Sequence, residues 1–398
     1  MSREARAKLI ETIEKKRGSK VITYITSDRE NLTAGIASDV VSILHEHILE
    51  IKPDKRDKLD LFIYSRGGDS DIPWAIVSMF REYSREGAFS VLIPYRAHSA
   101  ATVVSLGADE IVMTKKAELG PIDITLQSSP YNPTEKDTPR RLPISVEDVN
   151  GYFSFLKKIG CERPEEIMKG FEQLTAQVHP LALGTVSRLL QQTELVALRL
   201  LGTRANPFPE DKNREIVKRL SSEIFSHRHT ISRTEAVKQL GLSQVVNSED
   251  ANIDDELWDL YKEYRELFQF EIPFKAEEHL VVNNLEEHIW SELKFACIES
   301  VARFDVCQKD MKVRRIRQVP PQITLNLNNF ASPTINIPNL PNGMPPADVS
   351  RLVEQVVAAV INPALNQAAK DAALQFLSSL PVAGFEVVDF NFGWKTEK

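Results

Sequence analysis

Over the first 250 residues, short apolar runs alternate with stretches that place an apolar residue every three to four positions. Residues 2–17 carry Ala5, Leu9, Ile10 and Ile13 along one side, the spacing of a short amphipathic helix. VITYIT (21–26) reads as a strand, and Ile36, Val40, Ile43 and Leu44 predict a helix over 35–49. LDLFIYS (59–65) and FSVLIPY (89–95) are continuous apolar runs, as expected of strands buried on both faces of a parallel sheet. A helix over 72–85, a short helix of small residues over 99–107 and a strand EIVMT (110–114) complete the series. Strands alternating with helices at this pitch predict an α/β fold with mostly parallel pairing.

Residues 126–145 are polar and Pro-rich, the composition of a surface loop or flap. Helices are predicted over 146–159, 164–177, 182–201, 210–224 and 233–240, and GLSQVV (241–246) as a closing turn and strand. An aromatic-rich helix over 254–270 and a β-rich stretch over 272–316 follow. At 317–347 the composition turns to Pro and Asn, an extended linker in which Ile323, Leu325 and Leu327 alternate as in an added strand. Val349, Leu352, Val353, Val356, Val357 and Val360 then predict a helix with Asp348 as N-cap, interrupted at Pro363. This divides the chain into a principal domain (1–250), a helix plus small β-rich unit (251–316), the linker (317–347) and a helical tail (348–398).

At 398 residues and 42% apolar content the chain can bury a core without disulfide or metal staples. Lys plus Arg number 49 against 56 Asp plus Glu, a net charge of −7, which argues against a general nucleic-acid binder. One basic run, KVRRIR (312–317), reads as a solvated strand edge, or as a partner or nucleic-acid contact. Cys161, Cys297 and Cys307 show no C-x-x-C spacing, as expected of free thiols in a reducing compartment. The N-terminus lacks a signal-peptide core and no apolar run reaches the ~18 residues of a membrane helix, so a cytoplasmic protein without a membrane span is expected. His45 and His47, two apart, do not share a helix face and make no metal pair. No cofactor is implied.

The segment 61–123 carries the candidate chemistry. In IYSRGGDSD two glycines follow a buried strand, either as an ordinary turn or as backbone bared to face a ligand. In RAHSAATVVSLGA a serine opens a helix just after a strand, either as a plain N-cap or as an exposed hydroxyl beside a helix N-terminus.

These phrases, with LGADEIVM and LGPIDI, resemble the Clp protease/crotonase superfamily, whose fold is a spiral of β-β-α units. The resemblance covers about residues 20–250. Within the superfamily the chain is most similar to the serine dehydrogenase proteinase group on the signal peptide peptidase A side; VHPLALGTVSR and SHRHTISRTEAVKQLGL share in that likeness. The resemblance implies Ser99 as nucleophile, with the oxyanion held by the N–H groups of Gly68 and Ala100 and Gly67 shaping the turn. A serine needs a base. Where Clp protease has its histidine this chain has Asp123, and no K-S-G-x-x-K-D-like stretch is present. A triad with exchanged positions, Ser99, His179 and Asp123, would fill the roles, with His227 as second choice. Lys157 and Lys158 are the nearest lysines to the signal peptide peptidase pattern and read as a solvated helix face, and His98 is set aside because neighbours at a helix start point apart.

The expected function is a serine endopeptidase working through an acyl-enzyme on peptide or protein substrates. The alternatives are a catalytically weak or silent assembly protein and a crotonase-like enzyme acting on acyl-CoA. A homo-oligomer is expected, with the tail 317–398 docking a partner or a neighbouring subunit.

Overall fold

The computed structural model describes residues 3–53, 57–127, 129–136, 140–224, 226, 229–318 and 379–397, together with 322–324, 334–336, 348, 351, 355 and 376. The linker 317–347 and the helix expected over 348–362 lie for the most part outside the described residues. The chain forms two compact units, one of residues 1–273, 295–306 and 395–398, the other of 274–294 and 307–394.

In the first unit the apolar runs become one parallel set. Val245–Asn247, Glu110–Met113, Phe89–Ile93, Lys58–Tyr64 and Ser19–Thr26 lie side by side in that order. All seven residues of Lys58–Tyr64 except Lys58 are buried, because helices or loops cover both faces. The sheet is mixed rather than parallel throughout. Strand Glu287–Glu299 pairs antiparallel with Ser19–Thr26, Ile25 facing Cys297.

Helix Arg3–Arg17 and helix Asp254–Leu267 cover one face. Ile10 and Ile13 pack with Leu257, Leu260 and Tyr264 over Val21, Ile25 and Phe62. The aromatic-rich helix that the sequence sets in a second domain therefore belongs to the core of the first unit. Arg6 and Glu299 are buried as an ion pair at 2.6 Å, and Tyr264 donates to the same carboxylate at 2.8 Å. Helices Val40–Ile51, Ile72–Tyr83 and Ala100–Leu106 bury Leu44, Ile76, Phe80 and Val104. Each of the strands Phe89–Ile93 and Glu110–Met113 is followed by a short second strand, Arg96–Ala97 and Glu118–Leu119, and these two pair in parallel. Within the flap, Thr125–Leu126 and Ile144–Ser145 pair antiparallel, and the buried Asn132 amide ties Leu126 O at 2.9 Å to Leu142 O at 3.0 Å.

The second unit holds helix Ala276–Val282 and parts of the long strands Glu287–Glu299, Phe304–Arg317 and Val382–Glu397, the last of which is a strand where the sequence predicts a helical tail over 348–398. Its arginines correct the reading of KVRRIR as a solvated edge. Arg315 and Arg317 are 8% and 5% exposed. Arg315 donates to Leu280 O at 2.8 Å, Arg317 is paired with Glu286, and Arg314 with Glu386. Among the described residues no helix is long and apolar enough to cross a membrane.

At the N-terminal ends of the parallel strands Arg17 binds both Asp60 and Glu110, and Lys58 donates to Glu110 at 2.8 Å. Burial alone would raise the Glu110 pKa; the hydrogen bonds from Arg17 and Lys58 outweigh it and hold the carboxyl at about 2. A depressed carboxyl adds stability above its unfolded pKa and loses it as pH falls through the folded value. Glu110→Gln should therefore cost on the order of 2 kcal/mol at neutral pH, and the cost should vanish between about pH 4.5 and pH 2. Parallel urea melts of parent and variant across that window check this.

Candidate active site

Two turns at the C-terminal ends of neighbouring strands place Ser99. Lys58–Tyr64 continues through Ser65 into Gly67 and Gly68, and Phe89–Ile93 continues through Arg96–Ala97 into His98 and Ser99. They are stitched together by Ser65 N to Arg96 O and His98 N to Ser65 O, both 3.0 Å. Thr102 Oγ1 donates to Ala97 O at 2.7 Å and accepts from Gly120 N at 3.1 Å, fixing the first helical turn to the next segment.

The Gly-Gly pair is required by close approach. A Cβ on Gly67, where φ is +108°, would stand 2.6 Å from Ser99 Cβ and 3.0 Å from Oγ. A Cβ on Gly68 would stand 2.2 Å from Ile36 O and 2.3 Å from Ile36 N. Ile36 N donates to Gly67 O at 2.7 Å and Asp69 N to Ile36 O at 2.9 Å, a parallel bridge centred on Ile36 and Gly68. In such a bridge the residue between the two bonds turns its own N–H and C=O to the other side. The Gly68 N–H therefore points away from Ile36, and no group among the described residues accepts it.

Ser99 occupies the N-cap position of helix Ala100–Leu106 but does not cap it. Its backbone lies at φ +49° and ψ −119°, far from the extended conformation of a capping serine, and its side chain makes no cap hydrogen bond. Such a torsion pair costs a non-glycine residue roughly 1–3 kcal/mol and persists only where the surroundings enforce it. The hydroxyl is half-buried and makes no hydrogen bond among the described residues. The Ala100 N–H, first of the helix, has no partner within the helix. Ser99, Gly67, Gly68 and Ala100 thus form one cluster of strained backbone and bared donors.

His98 leans the opposite way. It packs on Gly120, where a Cβ would meet its own Cβ at 2.9 Å, and its Nε2 is 3.1 Å from Glu118. Burial alone would raise the Glu118 pKa; His98 and Arg96 together hold it below its ordinary value. Asp123 is 2% exposed in the segment after strand Glu118–Leu119, where Ile122 N donates to Leu220 O at 3.0 Å.

His179 is exposed and caps helix Pro180–Gly202: its Nδ1 accepts the Leu181 N–H at 3.2 Å, and its ring stacks on Tyr131 with centroids 4.9 Å apart. Neither contact involves Ser99 or Asp123. With Nδ1 accepting, a neutral ring carries its proton on Nε2 and has none to give a carboxylate from Nδ1. Lys157 and Lys158 are exposed at the end of helix Val146–Lys158. His227 lies outside the described residues.

A second serine–histidine–aspartate set escaped the sequence reading. His47 Nδ1 is 3.0 Å from Ser300 Oγ and its Nε2 is 2.9 Å from Asp305. All three are buried, His47 and Ser300 completely, and Ser300 Oγ also accepts Arg303 N–H at 3.3 Å. No substrate reaches that serine, so the set locks helix Val40–Ile51 to the strand beside it. His45 instead meets the Tyr83 hydroxyl at 2.9 Å. The 253 and 258 residues that separate His47 from Ser300 and Asp305 hid the trio, since only the fold joins them.

Residues 1–150 match the family of ClpP-like SDH-type serine proteinases. The matched part holds Ser99, Gly67, Gly68, Ala100 and Asp123 and ends before His179. Similar proteins include two from Methanocaldococcus jannaschii. The uncharacterized protein MJ0137 is 26% identical over 266 residues, 66% of this chain and 79% of that one. The uncharacterized protein MJ1495 is 25% identical over 264 residues, 64% of this chain and 76% of that one.

Proposed function

We propose that this chain, which matches the ClpP-like SDH-type serine proteinases over residues 1–150, is a serine endopeptidase with Ser99 as nucleophile, on the spiral β-β-α framework of that group. The strained Ser99 backbone carries the reading, because it frees the hydroxyl from capping and aims it beside the donor-bearing Gly68 turn. An extended peptide would pair with the side of Gly68 that faces away from Ile36. Ser99 Oγ then attacks the scissile carbonyl carbon as its proton passes to a base. The oxyanion takes hydrogen bonds from the Gly68 and Ala100 N–H groups. Collapse breaks the C–N bond and protonates the leaving amine, and water hydrolyses the acyl-serine.

His179 with Asp123 as its orienting partner is the proposed base. To serve, His179 must exchange the Leu181 N–H for these partners, which ties activity to the helix start at Pro180. A silent assembly protein is the second reading, favoured by the absence of an imidazole or amine in contact with Ser99 Oγ among the described residues. Homo-oligomerisation and partner docking by the tail are proposed with either. Incubation with a fluorophosphonate probe followed by peptide mass spectrometry separates the two. An adduct on Ser99, lost in His179→Ala, supports the full proposal; an adduct that survives that change moves the base elsewhere. An unlabelled, folded protein overturns the peptidase reading.

A further inference from the structure

At the ends of the parallel strands remote from Ser99 lies a cavity of about 260 Å³ lined by Lys58, Arg85, Asp109, Glu110, Arg204 and Asn206, among others. Arg204 is its unusual member. The side chain is only 7% exposed, yet Nε and Nη1 have no hydrogen-bond acceptor. Its guanidinium lies over the Phe208 ring, 4.3 Å from the centroid, so the ring holds the plane and leaves the N–H edge bare. A buried guanidinium without an acceptor is costly, and native proteins seldom keep one unless something absent from the protein chain completes it.

The neighbouring carboxylates do not complete it. Asp109 accepts from Arg81, Phe89 N and Ala205 N. Glu110 accepts from Arg17, Lys58 and Ser90. With Asp60 held by Arg17 and Ser19, the three acids Asp60, Asp109 and Glu110 are balanced by Arg17, Lys58 and Arg81. Two cations are left over, Arg204 and the exposed Arg85, which has no side-chain partner among the described residues.

We infer that this cavity binds a small tetrahedral oxyanion, a phosphate group, held by the Arg204 guanidinium and by Arg85. Two guanidinium groups suit a doubly charged oxyanion better than a single carboxylate, and the volume admits a phosphate with its inner waters. The site is independent of the Ser99 chemistry.

The test titrates the full-length protein with inorganic phosphate at constant ionic strength, reading heat by calorimetry and the midpoint of thermal unfolding. Saturable binding with a midpoint that climbs with phosphate is expected. Arg85→Gln should weaken binding about tenfold and Arg204→Gln should abolish it. A nucleoside monophosphate, with the nucleoside as control, identifies the source: tighter binding than phosphate marks a nucleotide-borne group, equal binding a free one. No saturable binding in the parent, the same midpoint shift with matched chloride, or an unchanged constant in Arg85→Gln overturns the inference. That last variant decides the matter if Arg204→Gln does not fold.

Discussion

Ser99→Ala should abolish fluorophosphonate labelling and lower peptide hydrolysis at least about 1,000-fold, with folding intact. The change removes one oxygen from a half-buried position and opens no cavity of consequence. Stability gives a second and independent signal. Ser99 holds φ +49° and ψ −119°, which alanine must also adopt and glycine adopts freely. Ser99→Gly should therefore be more stable than Ser99→Ala by roughly 1 kcal/mol, despite the entropy glycine loses on folding. Thermal unfolding of the three proteins under one buffer measures this. An alanine variant that hydrolyses peptide like the parent would place the nucleophile elsewhere. A glycine variant less stable than the alanine one would mean that the torsion stores no strain.

The strands around the site were legible because their apolar runs are long and uninterrupted, and burial on both faces leaves no other use for LDLFIYS or FSVLIPY. Helix starts were also plain where a cap or proline marks them, as at Ser145, Pro164 and Pro180. What depends on chain segments far apart in sequence was not. Strand Glu287–Glu299 joins the sheet through its last residues, and nothing in its alternating first half announces an antiparallel pairing with residues 23–26. The arginines of KVRRIR read as exposed because their partners, Glu286, Leu280 O and Glu386, come from other elements. At the site the sequence pattern names a serine at a helix start, a position where capping is the ordinary role. Only the backbone torsion shows that Ser99 does not cap its helix, and a torsion has no sequence signal when the residue is not glycine. His179 shows the converse. Its place before Pro180 suggested an aimed imidazole, and the same place makes it a cap for Leu181 N–H.

The two glycines beside Ser99 should fail in different ways when given a side chain. A Cβ on Gly68 falls 2.2 Å from Ile36 O and 2.3 Å from Ile36 N, and both neighbours are backbone that cannot swing aside. Relief requires the segments to part, breaking the hydrogen bonds at 2.7 and 2.9 Å that join Ile36 to Gly67 and Asp69. Gly68→Ala should thus cost about 3 kcal/mol or more and, with the donor N–H displaced, lower kcat by roughly 100- to 1,000-fold. A Cβ on Gly67 meets Ser99 Cβ at 2.6 Å and His98 O and Ser99 Oγ at 3.0 Å, so the segment that must yield is the one carrying Ser99. Gly67→Ala should lower activity as much as Ser99→Ala does, because the backbone that carries Ser99 must shift, and should cost less stability than Gly68→Ala, whose Cβ is driven closer, to 2.2 and 2.3 Å, onto two backbone atoms of Ile36. Gly151 in helix Val146–Lys158 has nothing within 4 Å of a built Cβ and serves as the control. Gly151→Ala should add about 0.5–1 kcal/mol and leave kcat alone. Denaturant melts paired with kcat and KM for the three variants test the scheme. A Gly68→Ala protein with parental kcat would remove its N–H from the oxyanion site, and equal stability losses at Gly67 and Gly68 would contradict the different neighbours assigned to them.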